Sequence, residues 1–202
     1  NGTFIFLDNF LGELNSVTTI DYMTVTSKEN AEKELIPIEK LKDYLIWREK
    51  EFIEKYHGIR YKTENDNYTS LKATLENDLP LIAIVNSTLL NWDSKASHPW
   101  ILKIKIKYDG SENNGFPDEE TYQLMDVFED KISEELKDYE GYLNVGRETA
   151  DSERFVFFAC NDFRKPSKVL NNLLKEFADK LEVSFDIYKD KYWRSLEQYK
   201  TN

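Results

Sequence analysis

The sequence predicts an α+β protein in which an antiparallel sheet carries two helices on one face, and three observations support this. Leu102, Ile104 and Ile106 alternate with lysines, which is the period-two pattern of a half-buried strand. Apolar residues recur at helical spacing in two later segments, one beginning after Pro117 and the other near Pro166. Each of these helical segments leads into another strand-like run, so strands and helices alternate through the C-terminal half.

The first 61 residues are expected to form an α/β extension with one helix. Residues 3–7 and 17–26 are rich in β-branched and aromatic residues, which predicts short strands. Apolar residues at helical spacing predict a helix over about residues 37–57. The proline that opens this segment suits the first helical turn, and Gly58 suits a left-handed cap at its end.

A polar run at residues 62–67 predicts the boundary between this extension, residues 1–61, and a main domain at 62–202. The main domain is expected to begin with a β-hairpin. Its strands, at 68–75 and 81–85, flank an Asn-Asp pair that favours a turn.

From residue 100 the predicted order is strand, helix, strand, strand, helix, strand. Asp118 is the expected N-cap of the first helix, and Lys165-Pro166 opens the second. The strands are expected at 101–107, 142–146, 154–160 and 183–188. Two split βαβ units in this order predict a ferredoxin-like βαββαβ sandwich. We expect 101–107 and 154–160 to be a parallel central pair, and the face without helices to be open or covered by the N-terminal part.

Charge and composition disfavour several partners. The 27 basic and 38 acidic residues give a net charge of −11, which disfavours direct nucleic-acid binding and anionic membrane surfaces. No apolar run approaches the roughly 20 residues that a membrane span needs, and the acidic start does not resemble a signal peptide. A single cysteine, Cys160, is compatible with a reducing compartment. A cytoplasmic protein without membrane contact is therefore expected.

Few residues are suited to catalysis. The two histidines, His57 and His98, have no cysteines or paired acids at metal-ligand spacing, so we expect no metal, no cofactor and no catalytic residues. Cys160 lies in an apolar run, which predicts a buried, unreactive thiol. Gly146 and Arg147 are expected at a strand exit, where glycine allows close backbone approach and Arg147 pairs with Glu129 or Asp130 of the preceding helix.

Acidic residues are concentrated in the first helix of the sandwich. Residues 118–140 hold ten acids and two lysines, a net charge of −8 out of −11 for the whole chain. Such a helix can be a solvated face that aids solubility, or a docking surface whose field speeds association with a basic protein. The candidate partner-binding residues are Asp126, Glu129, Asp130, Glu134 and Glu135.

Five short motifs follow one another in the order of a known family. They are His98-Pro99, Gly115-Phe116-Pro117, Glu129-Asp130, Gly146-Arg147-Glu148-Thr149 and Asp190-Lys191-Tyr192-Trp193, with Lys191 where proline is common. Over residues 66–199 the chain resembles a bacterial family called domain of unknown function 695, which implies a ferredoxin-like fold and no established activity. A fainter likeness, at the level of the fold, is to the regulator of ribonuclease E activity B, which acts by binding protein.

Two functions from different classes are predicted. The first is a non-enzymatic protein-binding or regulatory module that uses the acidic helix, with an immunity or inhibitor protein against a basic nuclease as a narrower form. The alternative is a small-ligand-binding protein or a hydrolase-type enzyme. Its ligand-binding residues would be His98, Arg147 and Trp193, if these polar residues converge at one end of the sheet.

Overall fold

A computed structural model describes residues 2–200 and shows an α+β protein with a six-stranded antiparallel sheet and a helical N-terminal extension. The chain divides into two units, Asn1–Gly58 and Ile59–Asn202. The sheet and the helices that pack on it belong to the second unit.

The N-terminal unit is helical, which corrects the predicted strands. Its helices are α1 (Gly2–Leu11), α2 (Glu13–Thr19) and α3 (Leu41–Tyr56). The residues that α1 buries are Leu7 and Leu11, whose spacing of four is that of a helix face, so helical packing overrides the β propensity of the segment. Residues 22–26 adopt no regular structure. From residue 2 to the end of the extension, the structure thus has three α-helices in place of the expected strands and single helix, and the predicted 37–57 helix is α3.

The second unit contains the remaining elements. They are β1 (Tyr68–Thr74), β2 (Pro80–Asn86), α4 (Ser87–Leu90), β3 (Trp100–Lys107), α5 (Glu119–Glu135), β4 (Tyr142–Ala150), β5 (Glu153–Cys160), α6 (Arg164–Glu176), β6 (Glu182–Lys189) and a final 3-10 helix, Arg194–Tyr199. The predicted hairpin is β1 and β2. The strand order across the sheet is β1-β2-β4-β5-β3-β6.

The central strands β3 and β5 pair antiparallel, so the expected parallel pairing is wrong. The reason is the connection between β4 and β5. Asp151 and Ser152 both have positive φ and form a tight hairpin turn, which makes β5 antiparallel to β4. The connection through α5 makes β4 parallel to β3 and leaves space for one strand between them. Strand β5 occupies this space and is antiparallel to both β4 and β3.

Helices α5 and α6 cover one face of the sheet, as predicted. The Asp118 carboxylate accepts a hydrogen bond from the Thr121 amide at 2.8 Å and caps α5. The core between helices and sheet includes Leu102, Ile104 and Ile106 from β3, Met125, Phe128 and Ile132 from α5, and Leu170 and Leu173 from α6. The alternation in β3 therefore separates this core from the lysines on the opposite face.

The second face has its own apolar core, over the end of the sheet where β3 begins. Leu89 and Leu90 of α4 and the C-terminal residues Trp193, Leu196 and Tyr199 pack with Ile101, Leu143, Val145 and Phe157 of the strands. This end is covered by α4 and the C-terminal segment, so the expectation of an open face is wrong here. The apolar residues of the tail account for this, because they lose contact with water only by folding back on the sheet.

Candidate functional site

Two arginines and two carboxylates form an ion-pair cluster between β4, β5 and α5. Arg147 Nη1 donates to Asp126 Oδ1 at 2.9 Å and to Glu129 Oε2 at 3.2 Å, and its Nη2 donates to the Tyr122 hydroxyl at 2.9 Å. Arg154 Nη1 lies 2.8 Å from Glu129 Oε1 and 3.4 Å from Asp126 Oδ1. The cluster thus balances two positive and two negative charges.

The strand register explains why these arginines meet. Arg147 is opposite Val156, and Thr149 is opposite Arg154, so all four side chains share the face that α5 covers. Arg154 Nε donates to Thr149 Oγ1 at 3.1 Å. Arg147 lies within β4 instead of at a strand exit, because β4 continues to Ala150. The predicted strand exit at Gly146 is therefore wrong.

The predicted pairing of Arg147 with α5 is confirmed for Glu129, and it does not include Asp130. One residue along a helix turns the side chain by about 100°, which places Asp130 on the exposed side. Sequence reasoning missed Arg154, whose side chain is only 2 % exposed. The alternation of β5 could have predicted this burial, because Arg154 shares a face with the buried residues Val156 and Phe158.

The outward side of α5 carries carboxylates that the protein itself does not neutralise. In the part of the chain that the structure describes, Glu120, Asp130, Glu134 and Glu135 make no ion pair and no side-chain hydrogen bond, and all four are exposed. Val127, which is 49 % exposed, lies among them. We call these five residues the acidic face. Asp126 and Glu129, the other two predicted partner-binding residues, are held by the arginines.

His98 and Trp193 lie together on the second face of the sheet. Trp193 is buried, and its indole Nε1 donates to the His98 carbonyl at 2.8 Å. The Trp92 ring lies 5.4 Å from the His98 ring and 6.4 Å from that of Trp193, measured between centroids. His98 Nδ1 is 2.8 Å from Ser97 Oγ. Burial lowers the pKa of His98 to about 4, so the ring is neutral near pH 7.

The third residue of the predicted ligand site is elsewhere. Arg147 points to α5 on the helix-covered face, whereas His98 and Trp193 belong to the packing on the opposite face. The structure therefore brings His98 and Trp193 together and separates both from Arg147.

A metal-binding cluster and a membrane-spanning helix are both absent from residues 2–200. No group of three or more histidine, cysteine or acidic side chains in this range is arranged to hold a metal ion. No helix in the same range combines the length and apolar character needed to cross a membrane. Cys160 is fully buried, and this burial raises the pKa of its thiol, so it is not a nucleophile poised near neutral pH.

Three of the five motifs noted in the sequence lie at the boundaries of these elements, whereas Glu129-Asp130 lies within α5 and Gly146-Arg147-Glu148-Thr149 within β4. His98-Pro99 precedes β3, Gly115-Phe116-Pro117 precedes α5, and Trp193 follows β6. A model of a family of unknown function, DUF695, matches residues 66–199, well over half of the chain. A search of curated proteins and a search of solved structures each found no match. The chain therefore belongs to the DUF695 family, whose function is unknown.

Proposed function

We propose that the chain is a non-enzymatic protein-binding or regulatory module that binds a basic protein through the acidic face of α5. One observation carries this proposal: Asp126 and Glu129 are neutralised by buried or half-buried arginines, while the four carboxylates of the acidic face have no partner among the described residues. The proposal therefore rests on Asp130, Glu134 and Glu135 and not on Asp126 and Glu129.

The physical properties of the acidic face suit a protein partner. Asp130 and Glu134 are one helical turn apart, so their like charges repel and destabilise the helix by a few tenths of a kcal/mol. A lysine- or arginine-rich surface would remove this repulsion and would be attracted from a distance. Val127 offers apolar area between the carboxylates, and interfaces combine an apolar centre with a polar rim.

We also propose that residues 100–189 form a ferredoxin-like sandwich. The order β4-β5-β3-β6, with α5 and α6 on one face, supports this assignment. The faint likeness to the regulator of ribonuclease E activity B agrees with a role in protein binding, although a shared fold does not by itself fix function.

The test is a charge reversal of the acidic face. The variant Asp130→Lys, Glu134→Lys, Glu135→Lys is compared with a control, Glu76→Lys, Glu112→Lys, Asp179→Lys, which changes the net charge equally at exposed positions outside α5. Proteins captured from the native host by each variant are quantified by mass spectrometry, and the leading basic partner is purified. We expect its Kd to rise at least about tenfold, or 1.4 kcal/mol, for the α5 variant and less than about twofold for the control.

A partner whose affinity changes equally in both variants would contradict the proposal, since the effect would then come from net charge. An unchanged set of proteins captured by the α5 variant would also contradict the proposal. Circular dichroism confirms that both variants are folded. If the partner is a nuclease, the narrower proposal of an immunity or inhibitor protein predicts that its cleavage of nucleic acid falls when the native chain is added.

A further inference from the structure

A pocket of about 300 Å³ opens where β2 and β4 separate. The two strands pair only as far as Val85 opposite Gly146. Beyond this point β2 leads into α4, and β4 has a bulge between Asn144 and Gly146. Residues 142–145 therefore have no neighbouring strand on the β2 side. Bulges of this kind commonly occur beside binding sites, where they end the pairing and redirect side chains.

The pocket walls combine aromatic rings with polar groups. Tyr61, Thr63, Asp66 and Tyr68 come from the segment that leads into β1, and the opposite wall comes from the end of α5 and the start of β4. The lining residues of that wall include Ser133, Lys137, Asp138, Tyr142 and Asn144. Two hydrogen bonds hold these walls in place. Tyr61 Oη donates to Asp66 Oδ1 at 2.7 Å within the first wall, and Thr63 Oγ1 donates to Asp138 Oδ2 at 2.6 Å from one wall to the other.

A buried donor without a partner lies behind this wall. Asn86 is fully buried, and its Oδ1 accepts a hydrogen bond from the Leu89 amide at 3.0 Å. Its Nδ2 has no hydrogen-bond partner among the described residues. The same amide lies beside the phenols of Tyr61 and Tyr68. It lowers the pKa of both, against the larger effect of burial, which raises them. Asn86 itself does not line the pocket, so the groups that face a ligand here are the two phenols.

The polar groups of the pocket indicate the chemistry of the ligand. Two carboxylates, Asp66 and Asp138, against one lysine, Lys137, disfavour an anion. A simple cation would be repelled by Lys137 and would leave its ammonium group without an acceptor. An apolar ligand would cover all of these groups without replacing their hydrogen bonds to water. A neutral molecule with several hydroxyl groups avoids all three problems, because each hydroxyl both donates and accepts.

We propose that this pocket binds a small neutral polyhydroxylated molecule of the sugar class. One ligand oxygen lies between the hydroxyl groups of Tyr61 and Tyr68, and a ligand hydroxyl donates to Asp66. The rings of Tyr61, Tyr68 and Tyr142 supply apolar area for the C–H face of the ligand. The volume of about 300 Å³ lies at the lower end of the range for small-molecule sites and suits a single sugar unit.

The experiment uses the full chain with D-glucose, D-galactose and D-mannose as probes, and with choline and acetate as cationic and anionic comparisons. Binding is detected by saturation-transfer NMR and measured by calorimetry. Because a site of this size holds few ligand atoms, we expect at least one sugar to bind with a Kd of about 1 mM or tighter, and neither comparison compound to bind comparably.

Three variants locate the site. Tyr68→Phe removes one hydroxyl and Asp66→Asn removes the carboxylate acceptor, and each should raise the Kd of the sugar at least about fivefold, or 1 kcal/mol. Tyr139→Phe is the matched control, because Tyr139 is exposed, follows Asp138 and does not line the pocket. The proposal is overturned if none of the sugars binds up to about 50 mM, if choline or acetate binds better, or if Tyr68→Phe and Asp66→Asn bind like Tyr139→Phe.

Discussion

Arg154 is as thoroughly buried as the apolar residues beside it. Its side chain is 2 % exposed, whereas that of Arg147 is 23 % exposed. Removing a charge from water costs several kcal/mol, which is offset here by Glu129, Asp126 and the Thr149 hydroxyl. The guanidinium carbon of Arg154 also lies 4.8 Å from the centre of the Tyr122 ring. The cluster therefore depends on Arg154 more than on Arg147.

This difference gives a prediction for stability. Arg154→Ala should lower the free energy of unfolding by about 3–5 kcal/mol, because it leaves Glu129 and Asp126 with only one half-exposed partner. Arg147→Ala should cost about 1–3 kcal/mol, and Arg147→Lys should recover part of it, since lysine cannot reproduce the forked contacts to α5 and Tyr122. Urea denaturation of each variant measures the effect, with the exposed Lys168→Ala as control.

A loss of less than about 1 kcal/mol for Arg154→Ala, or an equal loss for Arg154→Ala and Arg147→Ala, would show that the buried ion pairs do not contribute as described.

At the scale of the elements, Gly146 determines how closely β4 approaches β2. Its φ is +142°, a backbone conformation that side chains other than glycine rarely adopt. A Cβ at this position would lie 2.3 Å from the Ile84 carbonyl oxygen and 2.7 Å from Val85 Cα. The expectation that glycine here allows close backbone approach is confirmed, and the contact lies beside the bulge that opens the pocket.

Gly146→Ala should therefore destabilise the protein by more than about 2 kcal/mol, from backbone strain together with a clash against β2. Gly58→Ala is the matched control, because Gly58 also has a positive φ, +75°, but no atom lies within 4 Å of the added Cβ. Thermal unfolding should show a clearly larger loss for Gly146→Ala. Equal losses of stability in the two variants would mean that the positive φ alone accounts for the destabilisation, and that β2 moves away from the added Cβ without strain.

At the scale of the whole molecule, His98 joins parts of the chain that are distant in sequence. Its carbonyl holds Trp193 of the C-terminal segment, its ring packs against Trp92, and Pro99 leads directly into the central strand β3. The ring is neutral in the folded state, since burial lowers its pKa to about 4 from a usual value near 6.5. Protonation of His98 therefore acts on the stability of the whole unit.

The direction of the pH effect follows from this shift. Below pH 6.5 the unfolded chain binds a proton that folded His98 does not, so the stability present above pH 6.5 is lost as the pH falls towards 4. Between about pH 6.5 and 4.5, His98→Gln should lose about 2–3 kcal/mol less stability than the native chain. Urea denaturation across this range tests it, and the exposed His57→Gln should behave like the native chain. Parallel curves for the native chain and His98→Gln would contradict the prediction.

Local patterns in the sequence determined most of the second unit. The alternation of Leu102, Ile104 and Ile106 with lysines predicted β3, and Asp118 marked the start of α5. These predictions succeed because side-chain periodicity and capping depend on neighbours within a few residues. The pairing of Arg147 with Glu129 could also be predicted from the sequence, because the helix and the strand that carry them are consecutive in the chain.

Only the tertiary structure decided the features that depend on distant contacts. The β propensity of residues 3–7 gave way to a helix because Leu7 and Leu11 are buried on one helical face. The antiparallel pairing of β3 with β5, the burial of Arg154 and the separation of Arg147 from His98 all follow from strand order and register. The pocket arises where β2 turns away from β4. No local pattern encodes these features, because the residues involved meet only after the sheet has assembled.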